Sequence, residues 1–131
     1  MRAGTQCSLA LAAAAVAVAL PQCAFASGPA GDATRGARAY EARCGGCHSA
    51  EADRIGPRHA GVFGRRAGSV AGFDYSPALS ASGIVWNAQT LEQWMSDPES
   101  LIPGQRMGYS LGDATARADV IAFLATLPAQ K

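Results

Sequence analysis

Two cysteines and a histidine lie within a single short segment of the chain, residues 44–48, which reads CGGCH. The spacing C-x-x-C-H is the pattern of covalent haem attachment. In a turn that continues a helix, two thiols at this spacing can each form a thioether to one haem vinyl group, and the next residue is then held against the iron. The segment therefore predicts one haem c with its iron, attached through Cys44 and Cys47, with His48 as an iron ligand.

Three other uses of this motif are disfavoured by its surroundings. A thioredoxin-type C-x-x-C follows a strand and begins a helix, whereas a predicted helix precedes this one. A disulfide between Cys44 and Cys47 would close a short and strained loop. A zinc ion needs four ligands, and beyond the motif only His59 is available.

The first 26 residues have the features of a secretory signal peptide. Arg2 supplies the positive start, residues 8–20 form an apolar run, and residues 24–26 read AFA, a cleavage pattern. The run is shorter than the roughly 20 residues of a spanning helix. We expect residues 1–26 to be removed, 27–31 to form a flexible leader and 32–131 to form the domain. Export in this way indicates a periplasmic protein without membrane insertion after cleavage, and an uncleaved anchor is the alternative.

Charge and composition exclude two classes of protein. The chain has 11 Lys and Arg against 10 Asp and Glu, without the basic run that neutralises phosphates, which excludes a nucleic-acid binder. Hydrophobic residues make up 49% of the chain, so it is not disordered on composition. Because Arg2 lies in the signal segment, the rest carries ten charges of each sign, and we expect modest long-range steering of partners.

Helical signals flank a long stretch that has no sustained period. The predicted helices span residues 33–43, 91–96 and 114–127, and each follows a capping side chain: Asp32, Thr90 and Asp113. Residues 49–87 are rich in Gly, Pro and Ser, and residues 99–112 are predicted to be a loop. Three helices with long loops offer few side chains for a core, so the haem itself is expected to fill the middle of the domain.

The second iron ligand can come from Met107, Met95 or His59. Met107 lies in a loop between Gly104 and Gly108, which can bring a thioether directly onto iron. Met95 lies in a predicted helix, where packing is its expected role, and His59 is expected to be a packed or surface histidine. We expect Met107 to bind, with the other two side chains and an open site as alternatives.

The chain resembles a class I c-type cytochrome, the small soluble monohaem type of bacteria and mitochondria. The resemblance covers most of residues 31–127 and includes Gly36 and Tyr40 in the first helix, Phe123 in the last, and the ligand loop 102–107, which reads IPGQRM. It implies an all-α cytochrome c fold, with three main helices and long loops wrapped around one covalently attached haem. It also implies that Phe123 packs on Gly36 and Tyr40.

The resemblance further implies roles that the haem motif alone does not assign. Pro57 would accept the N–H of His48 through its backbone carbonyl, which fixes the ring. Arg65, Tyr75 and Trp86 would hydrogen-bond the haem propionates.

The chain also departs from the family pattern at several positions. Trp94 takes the place of a Tyr near the ligand Met, Gln105 that of a common Thr, and Leu79 that of an internal Asn. Mitochondrial members carry a ring of Lys around the haem edge, whereas this chain has one Lys, Lys131.

These features predict a one-electron carrier, not an enzyme. With His48 and Met107 both bound, iron has no free position for a substrate or O₂, and the thioether favours ferrous iron. Redox partner proteins are expected to dock transiently at the exposed haem edge of a monomer. One alternative is the haem c subunit of a periplasmic oxidoreductase complex, which relays electrons from a catalytic subunit. Another is a haem sensor or weak peroxidase with a displaceable sixth ligand.

Overall fold

The computed structural model describes residues 30–130. The expected signal segment 1–26, its cleavage site, most of the expected leader and Lys131 lie outside these residues. The described part of the chain is all-α, as predicted, and its only extended pairing is an isolated bridge between Arg66 and Val85. No helix between residues 30 and 130 is long and apolar enough to cross a membrane.

Five helices are present between residues 30 and 130, and two of the three predicted helices begin where the sequence indicates. They are α1 (Ala33–Arg43), α2 (Pro77–Ala81), α3 (Ala88–Ser96), α4 (Pro98–Leu101) and α5 (Ala114–Leu124). Asp32 caps α1 by accepting a hydrogen bond from the backbone N–H of Arg35, and Asp113 caps α5 in the same way. The last helix ends three residues before the predicted end, at Leu124, because the chain tightens there: Leu127 N–H bonds back to Leu124.

The third helix begins at Ala88 and not at residue 91, because Asn87 is its cap. The Asn87 side chain accepts a hydrogen bond from the Thr90 N–H, and the Thr90 hydroxyl accepts one from the Asn87 N–H. Thr90 is therefore the third residue of a capping box rather than the cap itself.

Two short helices lie where the sequence predicts loops. In α2, the Ser76 hydroxyl accepts the Leu79 N–H, and in α4 the Asp97 carboxylate accepts the Ser100 N–H. Each helix starts with a proline, whose fixed φ suits the first helical position. Both are too short to show a hydrophobic period, so the sequence pattern could not reveal them.

The first and last helices cross in direct contact. A Cβ on Gly36 would overlap the backbone carbonyl of Asp119, which explains why a glycine stands in the middle of α1. One turn later the Tyr40 ring packs against Phe123 with centroids 5.2 Å apart. The packing implied by the resemblance is therefore present, and it fixes α1 just before the CGGCH segment.

Candidate functional site

The helices and loops enclose a cavity of about 390 Å³, within the roughly 300–1,000 Å³ range of ligand sites. Its wall is mostly apolar and includes Val62, Leu79, Trp86, Leu91, Trp94, Met95, Leu111, Val120 and Leu124. The buried side chains thus surround a space instead of filling it, which agrees with the shortage of core residues in the sequence.

The two cysteines lie at this cavity, in a turn that directly continues α1. The Cys44 N–H donates to the Tyr40 carbonyl at 2.7 Å, and the His48 N–H donates to the Cys44 carbonyl at 2.9 Å. Cys44, Cys47 and His48 all line the cavity, and no disulfide joins the two thiols. Burial raises the pKa of Cys44 to about 11, so this side chain is a neutral thiol.

Pro57 selects one tautomer of His48. Its Nδ1 lies 2.8 Å from the Pro57 carbonyl oxygen, which can only accept, so Nδ1 carries the proton and donates it. Burial lowers the pKa of His48, and the bond to Pro57 opposes that shift only in part. The ring is therefore a neutral imidazole with its free lone pair on Nε2, the form that binds metals.

Gly56 lies directly against the His48 ring, and the space that Gly56 and Pro57 leave for the imidazole is called its seat below. A Cβ at Gly56 would overlap the ring of His48, so only glycine leaves room for the histidine here. The Gly56 N–H also donates to the Cys47 carbonyl at 2.8 Å, which ties the segment to the CGGCH turn.

Met107 lines the same cavity from the loop between α4 and α5. Gly104 and Gly108 have positive φ values of 86° and 60°, so the loop turns sharply on both sides of the methionine. Two side chains fasten these turns: Glu99 accepts the Gly104 N–H at 2.9 Å, and Gln105 accepts the Gly108 N–H at 3.0 Å.

Met95 also lines the cavity, but it belongs to the regular helix α3 and is 8% exposed. Its carbonyl accepts the Leu111 N–H at 2.7 Å, which joins α3 to the end of the Met107 loop. These contacts agree with the packing role expected for Met95.

His59 lies beside His48. The two rings are stacked with centroids 4.2 Å apart and planes 20° from parallel, and His59 Nδ1 lies 3.0 Å from the Tyr40 hydroxyl. Burial, with the neighbouring His48 and Arg65, lowers the pKa of His59 to about 3. Its ring is therefore packed against the proposed ligand His48 and bonded to Tyr40, which agrees with the packed position expected for His59 and argues against it as the second ligand.

Arg65, Tyr75 and Trp86 come together on the wall of the cavity. The Arg65 guanidinium donates to the carbonyls of Ala60 and Arg58 at 2.7 and 2.9 Å, which leaves further N–H groups of its five free to donate. Burial lowers the pKa of Arg65 and raises that of Tyr75. Trp86 is buried, with its ring centroid 5.5 Å from that of Trp94.

Two features of the site were missed by sequence reasoning. The contact of His59 with both His48 and Tyr40 has no sequence signal, because the three residues belong to different segments. The second feature is a set of three exposed arginines on the cavity wall, Arg43, Arg66 and Arg106. Asp74 is the one carboxylate that lines the cavity with them. Their grouping depends on the fold and is hidden by the balanced composition.

The residues present fit a covalently attached haem. The cavity is apolar, it has two unpaired thiols at C-x-x-C spacing, and it has a neutral imidazole whose seat requires Gly56. Met107 supplies a thioether from another wall segment. By contrast, within residues 30–130 no three His, Cys, Asp or Glu side chains converge as a zinc site would require.

Comparison with known proteins agrees with this chemistry. The family model for cytochrome c matches residues 33–128. Cytochrome c of Stellaria longipes is 43% identical over 98 residues, which cover 72% of this chain and 91% of the relative. Cytochrome c of Chlamydomonas reinhardtii is 38% identical over 104 residues, which cover 76% of this chain and 93% of the relative.

Solved structures give the same result. Cytochrome cH from Methylobacterium extorquens matches with a TM-score of 0.70 and 38% identity, over 73% of this chain and 99% of that structure. Ferricytochrome c2 from Rhodopseudomonas palustris matches with a TM-score of 0.69 and 34% identity, over 73% of this chain and 98% of that structure.

Proposed function

The chain belongs to the cytochrome c family as a class I c-type cytochrome, and on that premise we propose that it is a periplasmic electron carrier with His48 and Met107 as its iron ligands. Membership establishes the coarser function, which is electron transfer by a covalently bound haem c and not enzymatic catalysis. When bound, the haem supplies the one-electron chemistry. The observation that carries the finer proposal is the convergence of Cys44, Cys47, His48 and Met107 on one apolar cavity.

Cys44 and Cys47 would tether the haem, and His48 would bind its iron through Nε2. The support is the bond from His48 Nδ1 to the Pro57 carbonyl, which leaves Nε2 as the only free ring nitrogen. The same bond holds the Nδ1 edge of the ring and raises the basicity of the histidine as a ligand.

Met107 would be the second iron ligand. Its loop is set by two glycines with positive φ and by the hydrogen bonds that Glu99 and Gln105 accept, and Met107 lines the cavity from this loop. A soft sulfur ligand and burial both favour ferrous iron and raise the reduction potential.

Arg65, Tyr75 and Trp86 hold the propionates. Buried carboxylates without partners would be costly, and these side chains supply a guanidinium, a hydroxyl and an indole N–H on the cavity wall.

Redox partners dock at the open edge of the cavity, by an interface of the small and transient kind. Ile55, which is 80% exposed, and Tyr109, which is 42% exposed, give this edge apolar contact area. Arg106 pairs with Asp74 at 3.3 Å, which leaves Arg43 and Arg66 as exposed cavity residues that form no ion pair among the described residues. The charges of the protein at this edge therefore favour a partner with an acidic surface. The carrier acts as a monomer.

Export to the periplasm is proposed from the signal features of residues 1–26. Covalent haem attachment takes place in that compartment, so the two parts of the sequence agree. Mass spectrometry of the purified protein tests this point directly, because cleavage where we expect it gives a chain that starts at Ser27.

The central experiment is a visible spectrum of the protein purified from the periplasm of a host with haem-maturation machinery. We expect sharp α and β bands on reduction and a weak far-red band, due to the methionine–iron bond, on oxidation. Met107→Ala should abolish the far-red band, whereas Met95→Leu, which replaces a methionine of the same cavity, should keep it. A high-spin wild type that binds CO or peroxide readily would overturn the proposed ligation.

A further inference from the structure

Tyr40, His59 and His48 form a continuous chain of contacts from the helix crossing to the proposed iron ligand. The Tyr40 hydroxyl lies 3.0 Å from His59 Nδ1, and the His59 ring stacks on His48 with centroids 4.2 Å apart. Tyr40 is 5% exposed, and its ring packs against Phe123. His59 takes no part in the proposed haem tether, iron ligation or propionate contacts.

His59 is held by its backbone as well as by its side chain. The backbone N–H of His59 donates to the Ser49 carbonyl at 3.0 Å, and the backbone carbonyl of His59 accepts the Val62 N–H at 2.9 Å. The hydrogen bond between the Tyr40 hydroxyl and Nδ1 then sets the rotation of the His59 ring, since among the described residues Tyr40 is the one side chain that the ring bonds to. The ring that faces His48 is therefore held in a single position.

His48 is restrained at its edge by the hydrogen bond from Nδ1 to the Pro57 carbonyl and by the close approach of Gly56. The stacked His59 ring adds a contact of a different kind, because it lies against the flat face of the imidazole. A contact on the face resists tilting of the ring plane more directly than a bond at one edge does.

We propose that His59, anchored by Tyr40, is a positioning residue that sets the plane of the His48 imidazole. This inference rests on the proposed function, because it requires His48 to bind iron. The imidazole plane determines how the unpaired electron of ferric iron spreads over the haem, so its orientation can be measured from the pattern of hyperfine-shifted haem methyl resonances. The reduction potential is a second readout.

The test compares the haem-loaded wild type with three variants in the ferric state. His59→Leu removes the stacked ring, and Tyr40→Phe removes only the oxygen that anchors it. Phe123→Leu is the matched control, because it changes the packing against the Tyr40 ring and deletes no atom of the contacts between Tyr40, His59 and His48.

We expect His59→Leu to change the order and spread of the methyl resonances and to shift the reduction potential. Tyr40→Phe should change both in the same sense and by less. Phe123→Leu should lower the unfolding midpoint and leave the resonance pattern as in the wild type.

If His59→Leu does not yield folded protein, Tyr40→Phe decides alone, since it deletes a single atom. A wild-type pattern in Tyr40→Phe or His59→Leu, or an equal change in Phe123→Leu, would overturn the positioning role while leaving the electron carrier intact. A wild type without a six-coordinate low-spin spectrum would instead overturn the proposed ligation, and this inference with it.

Discussion

The backbone of Gly36 in α1 lies so close to the carbonyl of Asp119 in α5 that a single added methyl group would overlap it. Alanine is ordinarily the better helix former by about 1 kcal/mol. Here we expect Gly36→Ala to lower the free energy of unfolding by about 1–3 kcal/mol, because the two helices must separate. Gly112→Ala is the control, since nothing lies within 4 Å of a Cβ at that position. Denaturant unfolding of both variants checks this, and equal stability of the two would contradict it.

A second glycine shapes the site itself. A Cβ at Gly56 would overlap the His48 ring, so Gly56→Ala should push the imidazole off its bond to Pro57. We expect a loss of about 1–3 kcal/mol in stability and a smaller fraction of low-spin protein in the visible spectrum. Gly46→Ala, inside the CGGCH segment, should resemble the wild type because a Cβ there meets open space. A normal spectrum for Gly56→Ala would show that His48 does not need this seat.

Arg117 clamps the end of the Met107 loop onto α5. The guanidinium donates to the carbonyls of Leu111 and Gly112 at 2.6 and 3.0 Å and to Glu92 at 2.7 Å. Arg117→Ala leaves two carbonyls without a charged donor, so we expect a loss of about 2–3 kcal/mol and a weaker far-red band as Met107 loosens.

The control for the clamp is Glu92→Gln, which weakens the half-exposed ion pair and keeps both carbonyl bonds. That variant should lose less than about 1 kcal/mol and keep the far-red band. If both variants weaken the band equally, the ion pair and not the carbonyl clamp holds the loop.

Local sequence signals were sufficient for much of the fold. Asp32 and Asp113 mark the starts of α1 and α5 because a capping side chain bonds within its own next turn. The CGGCH segment likewise specifies its chemistry within five residues. The start of α3 was missed because Asn87 and Thr90 are both good caps, and only their reciprocal bonds show which one begins the helix.

The parts of the site that the sequence could not reveal depend on contacts between distant segments. His59 was expected to be a packed or surface histidine, and only the fold brings it against His48 and under the Tyr40 hydroxyl. Balanced charge predicted modest steering, but composition does not record where charges lie, and the fold gathers Arg43 and Arg66 at the cavity. The second ligand also depends on tertiary structure, since Met95 and Met107 both reach the cavity wall.

The stability of the contact between α1 and α5 should depend on pH through the carboxylate of Asp119. Its carboxylate accepts two hydrogen bonds from the Arg35 guanidinium, both at 2.8 Å, and one from the Asp32 N–H at 2.7 Å. The hydrogen bonds from Arg35 make the largest contribution to holding the pKa of Asp119 below its usual range, and the bond from the Asp32 N–H makes the next largest. Because the pKa of Asp119 is lower in the folded state, the stability contributed by its carboxylate is fully present above the pKa of about 3.9 in the unfolded chain. It is lost as pH falls through the pKa in the folded protein.

The unfolding free energy of the ferric wild type should therefore fall more steeply between about pH 5 and pH 3 than that of Asp119→Asn, which has no carboxylate to protonate. Glu41→Gln, on the exposed side of α1 and without an ion pair in the part of the chain that the structure describes, should follow the wild type. Urea titrations at several pH values measure the slopes. Acid loss of iron ligation is common to all three proteins, so the difference between slopes isolates Asp119, and parallel curves for wild type and Asp119→Asn would mean that the Arg35 pair does not stabilise the crossing.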